Sequence, residues 1–300
     1  MDGMTIIVTG SSGLLGTALV KALRADGARV VRLVRRAPQS SEESFWNPAK
    51  GLVDPAALEG AEAVVHLAGA GIGDRRWDGP RKRELLSSRV EGTQTLATAL
   101  TELSSRPPVL LSASAIGYYG DTGDRAVDES GPSGEGFLAG LVRAWEAEAE
   151  PAARAGVRTV LLRTGLVLSR DGGMLSRMLP IFKLGLGAPL GSGRQYWSWI
   201  SMDDWVHAVL HTLRTRELDG PVNLTAPEPV TNAEFTAALG RALRRPTMPL
   251  PVPGPVLRAA LGEFAQEGVL IGQRVTPRRL LDTGYVFRHI HLNEALPAVL

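Results

Sequence analysis

The sequence predicts an α/β protein: a doubly wound parallel sheet with a smaller C-terminal lobe that covers a substrate. Three observations carry this expectation. The first half alternates short β-rich runs with helical patterns, as strands joined by covering helices do. Its opening strand runs directly into a glycine-spaced turn and an amphipathic helix. Past Gly172 the alternation gives way to glycine-rich and proline-rich connections.

The expected strands are Thr5–Thr9, Arg29–Val34, Ala63–Leu67, Val109–Ser112 and Arg158–Arg163, with helices near Leu15–Asp26, Pro80–Ser104 and Phe137–Ala155. Right-handed crossovers assemble such a series into one sheet covered on both faces. Residues 1–171 form the expected nucleotide-binding domain, and 172–300 a smaller lobe interleaved with it. In that lobe Gly185–Gly193 is a loop, and Tyr196-Trp197-Ser198-Trp199-Ile200 precedes a helix near Asp203–Arg214. Pro246–Pro255 reads as an extended connector, since proline removes amide donors. It opens a 246–300 extension holding an apolar helix over Val256–Glu267, the segment Gln273–Pro277 and a short final helix.

Composition narrows the function. At 300 residues, 44% hydrophobic and 21% charged, the chain has ample material for a core. Net charge is +2 with no dense basic tract, so nucleic acid is not an expected partner. Cysteine is absent, which excludes disulfides, thiolate nucleophiles and cysteine metal sites. No apolar run approaches the roughly 20 residues that span a bilayer. A strand begins within five residues with no basic-then-apolar leader, so a cytoplasmic location and no membrane association are expected.

Gly10-Ser11-Ser12-Gly13-Leu14-Leu15-Gly16 is spaced G-x-x-G-x-x-G between strand and helix, the arrangement that brings backbone N–H groups to a pyrophosphate. The second strand ends in Val34-Arg35-Arg36, where a site selecting NAD would carry a carboxylate for the ribose hydroxyls. Two guanidiniums suit a 2′-phosphate, so NADP(H) is the expected cofactor. His66-Leu67-Ala68-Gly69-Ala70 ends the third expected strand, and its small residues would let adenosine lie against the backbone of Leu67, Ala68 and Gly69. His66 is expected to be a hydrogen-bonded core histidine. His207 and His211 sit one helical turn apart without a third ligand candidate, so no metal is expected.

The chain resembles the extended short-chain dehydrogenase/reductase superfamily, whose fold is of the Rossmann type. The resemblance rests on Thr9-Gly10-x-x-Gly13-x-x-Gly16, His66-Leu67-Ala68, Arg89-Val90-Glu91-Gly92-Thr93 and Ser112-Ala113-Ser114-Ala115-Ile116-Gly117-Tyr118-Tyr119-Gly120. More narrowly it resembles the atypical "epimerase family" group with an uncharacterised C-terminal extension, through Gly191-Ser192-Gly193-x-Gln195-Tyr196-x-Ser198-Trp199-Ile200 and Gly272-Gln273-Arg274-Val275-x-Pro277. The superfamily's catalysis uses Tyr-x-x-x-Lys, in which lysine lowers the tyrosine pKa for proton exchange. The only lysines are Lys21, Lys50, Lys82 and Lys183, and none follows a tyrosine by four. Where that pair belongs, the chain reads Gly136-Phe137-Leu138-Ala139-Gly140-Leu141.

The resemblance implies Ser114 as the substrate-orienting serine, with Ser112 as second choice; Tyr118 and Tyr119 are the nearby hydroxyls that either replace the missing phenol or pack the loop. Arg89 stands where the superfamily often has asparagine, and it is expected near the pyrophosphate or substrate; Ser112 and Arg163 join the expected cofactor contacts. Tyr196, Trp197 and Trp199 either wall the cleft or pack a core. Glu146 and Asp203-Asp204 are carboxylates in reach of a cleft, although capping also accounts for Asp203. The resulting expectation is an NADP(H)-dependent oxidoreductase or epimerase acting on a small carbonyl or sugar-like molecule, as monomer or homodimer. The alternatives are an NADP(H)-binding redox sensor without turnover, or an interaction protein that uses its extension.

Overall fold

Eight strands form the main sheet in the computed structural model, which describes residue 1 and residues 3–300. In chain order they are β1 (Thr5–Thr9), β2 (Arg29–Val34), β3 (Glu43–Asn47), β4 (Leu52–Val53), β5 (Ala63–His66), β6 (Val109–Ala115), β7 (Arg158–Thr164) and β8 (Gly220–Leu224). Their order across the sheet is β8-β7-β6-β5-β1-β2-β3-β4, parallel throughout except for the β3–β4 edge. The expected fold class is borne out. The order of strand addition reverses between β1 and β5, and ligands of such sheets bind outside the carboxyl ends of the strands flanking that point.

Both faces of the sheet are covered, which is why β1 reads as an unbroken apolar run. Ile6 and Val8 face helix α1 (Leu14–Ala25) and a later helix, Met202–Arg214, through Leu19, Leu23, Trp205 and Val209. Ile7 faces the other way, into a cluster with Leu96 and Leu100 of helix α2 (Gly79–Glu102). Helix α3 (Phe137–Ala147) lies beside α2 on that second face. The expected helix over Phe137–Ala155 breaks after Ala147, and Glu150–Arg154 restarts with Pro151 in its first turn, where a missing amide donor costs nothing.

Strands β3, β4 and β8 were not expected. Glu-Ser-Phe-Trp-Asn in β3 has no clean alternation, and β8 opens on Gly-Pro, so local pattern gave neither away. A separate core gathers Leu175, Leu179, Phe182, Trp197, Trp199, Phe235, Leu239 and Leu296. Trp197 and Trp199 pack there rather than walling a cleft. The proline-rich connector is extended and lies along the glycine-rich loop, with Met248 N–H donating to Gly187 O (2.7 Å) and Val252 N–H to Pro189 O (2.8 Å). The expected helix over Val256–Glu267 is interrupted at Gly262, giving Gly254–Leu261 and Glu263–Gly268. Among the described residues no helix is long and apolar enough to cross a membrane.

Candidate functional site

The glycine turn sits at the reversal point. Gly10 has φ +65°, and a Cβ there would stand 2.7 Å from Leu67 C and 2.8 Å from Ala68 N. The loops after β1 and β5 therefore touch backbone to backbone, which places Leu67, Ala68 and Gly69 beside the turn. Gly13 N–H donates to Gly10 O (3.0 Å), and α1 begins with no side-chain cap. Its leading N–H groups, around Leu14, Leu15 and Gly16, are left with a partial positive charge, a ready anion site. Ser12 and Gly13 are exposed at this turn, with Ser11 half-buried beside them.

Thr9 ties the two loops together. Its hydroxyl oxygen accepts from Leu67 N–H (3.1 Å) and Ala68 N–H (3.2 Å), and lies 2.7 Å from His66 Nδ1. Having accepted from both N–H groups, the hydroxyl is placed to donate its own proton to Nδ1. Burial, reinforced by the Arg89 charge, pulls the His66 pKa to about 4, so the ring is neutral at physiological pH. His66 is a core residue, as expected. His207 lies against Asp203 and Arg288, and His211 against Thr283.

The two arginines after β2 are placed differently. Arg36 forms a two-pronged pair with Glu43, Nη1 to Oε2 at 2.8 Å and Nη2 to Oε1 at 2.7 Å, and Arg32 approaches the same carboxylate at 2.7 Å. The Arg36 hydrogen bonds, with help from the Gln39 N–H, hold Glu43 down at about pH 2. Arg35 is exposed and has no carboxylate partner among the described residues. Arg36 thus anchors the sheet edge, and Arg35 is the guanidinium that remains available.

Ser114 and Arg163 are cross-strand neighbours in β6 and β7, and both lie under α3. Arg163, 4% exposed, pairs with Glu146 through Nε–Oε1 and Nη2–Oε2, each 2.8 Å. Burial opposes its charge, but the carboxylate outweighs burial and holds the guanidinium more firmly protonated. Ser114 Oγ donates to Glu146 Oε1 (2.5 Å), and Arg163 Nη1 donates to Tyr119 Oη (3.1 Å). Tyr119 Oη in turn donates to Asn223 Oδ1 (2.8 Å), and burial pushes its phenol up to about 12. Ser114, Tyr119 and Arg163 are thus locked into one buried network. Tyr118 is half-buried, carries the Arg163 guanidinium 3.5 Å from its ring centroid, and its hydroxyl has no partner within the described residues. Asp203 and Asp204 lie elsewhere: Asp203 pairs with Arg288, and the buried Asp204 accepts from the Arg288 and His289 N–H groups.

Arg89 lies beneath Gly69, where a Cβ would be 3.5 Å from Arg89 Cζ. In front of it the C-terminal extension closes onto the sheet half. Glu267 accepts from Phe137 N–H (2.9 Å) and Leu138 N–H (2.8 Å), which caps the start of α3. Gly136, with φ +95°, makes this approach possible, because a Cβ there would be 3.0 Å from Glu267 Oε2. Phe264 packs on Trp77 (5.3 Å between centroids) and Trp77 on Phe137 (5.3 Å), while Lys82 pairs with Glu263 and Arg177 with Asp74 (3.0 Å). Local sequence offers no signal for Glu267 here, since its partners lie 130 and 129 residues away.

Residues 6–224 match the model of the NAD dependent epimerase/dehydratase family. The chain belongs to that family. Residues 252–299, which supply Glu267 and Phe264, match a domain of unknown function. An epimerase family protein of Mycobacterium bovis is 53% identical over 99% of this chain and 97% of its own length. The human epimerase family protein SDR39U1 is 37% identical over 99% of both. Its structure with NADPH superposes with a TM-score of 0.89 at 36% identity, covering 99% of each chain. A nucleoside-diphosphate sugar epimerase from Corynebacterium glutamicum superposes at 0.82 with 34% identity, covering 99% of this chain and 58% of that one. The expected family is confirmed.

Proposed function

We propose that this epimerase-family chain binds NADP(H) and carries out oxidoreductase chemistry on a small carbonyl-bearing substrate. The observation that carries the reading is the glycine cradle at the reversal point, where Gly10 meets the Leu67–Ala68 backbone and the α1 N-terminus stands uncapped. The cradle has the shape and polarity for a pyrophosphate. Arg35, exposed and without a carboxylate partner, suits the 2′-phosphate; the human relative crystallised with NADPH supports the same choice. When bound, the cofactor supplies hydride chemistry.

The chain's own contribution is to position the substrate and handle a proton. Ser114 already donates to Glu146, and the Tyr119 phenol, at about 12, holds its proton too tightly to release it near neutral pH. Tyr118 is the hydroxyl left for proton transfer, with the Arg163 guanidinium fixed over its ring. A second reading has its own support. The network that immobilises Ser114 and Tyr119, together with Glu267 on the α3 terminus, suits a protein that holds NADP(H) without turnover and signals redox state to a partner.

A test uses purified full-length protein with NADPH against aldehydes, ketones, 2-oxo acids and nucleotide sugars, followed by absorbance of the reduced nicotinamide. Turnover with at least one class, reduced roughly a hundredfold in Tyr118→Phe, is expected if that phenol is the proton donor. Tight NADPH binding with no turnover across the panel selects the sensor instead.

A further inference from the structure

Large apolar side chains gather on one exposed face of the C-terminal lobe: Ile181, Leu184, Leu186, Met248, Leu250 and Val256. Backbone contacts join the segments that carry them. Leu186 N–H donates to Ile181 O (3.1 Å), and the proline-rich connector runs beside the glycine-rich loop, with parallel bridges from Gly187 to Thr247 and from Leu190 to Val252. A Cβ at Gly185 would stand 3.3 Å from Pro246 Cγ, so the loop and the connector touch at that end too. Single exposed apolar residues are ordinary, whereas a contiguous set marks a surface that something covers. Leu184 and Leu250, 75% and 76% exposed, stand out from this face rather than lining a groove.

Charge is segregated on the same face. Residues 172–201 and 235–262, which build it, hold seven Lys or Arg and no Asp or Glu, in a chain whose 33 basic and 31 acidic residues nearly balance. Lys183 lies between Ile181 and Leu184, and Arg244 and Arg245 run straight into Pro246. All three cations are exposed, and none has a carboxylate partner among the described residues. Prolines at 246, 249, 251 and 253 deprive the connector of N–H donors, which makes it a poor template for an added strand.

We propose that this face is a peripheral docking surface for an anionic lipid bilayer. The apolar tips enter the boundary between headgroups and acyl chains, while Lys183, Arg244 and Arg245 meet the headgroup phosphates. A second copy of this chain fits poorly, because a two-fold contact would set these cations against their own counterparts. An acidic helix from a partner protein needs a groove to lie in, and protruding side chains do not make one. The surface departs from the expectation of no membrane association, which rested on the lack of a spanning run; a peripheral contact needs none. It does not depend on the NADP(H) reading.

Vesicle co-sedimentation of the full-length protein tests it. One arm uses phosphatidylcholine alone, the other an equimolar mixture of phosphatidylcholine and phosphatidylglycerol. Wild type should bind the mixed vesicles at least roughly tenfold more tightly than phosphatidylcholine. That affinity should fall at least roughly tenfold between about 0.1 M and about 1 M salt, as screening shortens. Leu184→Asp/Leu250→Asp and, separately, Lys183→Gln/Arg245→Gln should each weaken it at least roughly tenfold. All four side chains are exposed, and an unchanged thermal midpoint verifies that each variant is folded. Where the aspartates lower the midpoint, Leu184→Ser/Leu250→Ser takes their place. No binding of wild type to the mixed vesicles, equal binding to both vesicle types, or unchanged affinity in either folded variant overturns the proposal. Dimers that Leu184→Asp/Leu250→Asp abolishes, without vesicle binding by wild type, assign the face to a second copy and also overturn it.

Discussion

Glu146→Gln removes the carboxylate that neutralises Arg163 inside the protein. Both side chains are under 10% exposed, at 9% and 4%, so solvent screening offers little relief. The arginine loses two charged contacts of 2.8 Å and keeps the Tyr119 oxygen at 3.1 Å and the Tyr118 ring. Breaking one side of such a pair costs about 3–5 kcal/mol, because a charge is left buried and uncompensated. Glutamine retains a carbonyl acceptor, which returns about 1 kcal/mol. The expected loss is about 3 kcal/mol, a fall of roughly 6 °C in Tm at about 2 °C per kcal/mol for a chain of this size. Urea and thermal unfolding measure it, followed by circular dichroism. The double variant Glu146→Gln/Arg163→Met removes the stranded charge and should regain at least about 1.5 kcal/mol, because coupled neighbours are not additive. A single variant within about 1 kcal/mol of wild type, or a double variant no more stable than Glu146→Gln, would show that Arg163 does not depend on Glu146 for its charge balance.

Glu43 titrates at about 2 when folded and at the usual 4.5 when free, so its stabilisation is present above pH 4.5 and disappears as pH falls to 2. Urea unfolding across that range should show the wild-type advantage over Glu43→Gln shrinking toward acid; a gap independent of pH contradicts the Arg36–Glu43 assignment. Gly10→Ala forces a methyl against Leu67 and Ala68 at a positive φ, with an expected cost of about 2–5 kcal/mol and loss of NADPH binding. Stability within about 1 kcal/mol of wild type would show that the cradle is not tight. Glu267→Gln weakens the cap of α3 by about 0.5–2 kcal/mol, and hydrogen exchange at Phe137 and Leu138 should accelerate; unchanged protection contradicts the docking of the extension.

The features legible in the sequence were those written in neighbouring residues. The buried run Ile6-Ile7-Val8 and the glycines after it announce a parallel strand entering a phosphate turn, because both faces of that strand must be apolar. The absence of Tyr-x-x-x-Lys is likewise plain. Pairings across long stretches of chain were not legible. Arg35 and Arg36 look equivalent until β3 brings Glu43 beside one of them, and β3 carries no alternation to reveal it. Ser114 reads as an open catalytic serine until Glu146, 32 residues later, accepts its hydrogen bond. The apolar start of α3 offers no side-chain cap of its own, and only the fold shows that Glu267, from the far end of the chain, caps it.

If the uncapped glycine cradle and Arg35 select NADP(H), calorimetric titration of wild type and Arg35→Ser with NADPH and NADH will show it. NADPH should bind wild type at least roughly tenfold more tightly than NADH, with most of that preference erased in Arg35→Ser, as expected for one charge-assisted phosphate contact. Equal affinity for the two nucleotides in wild type, or no binding of either, would contradict it.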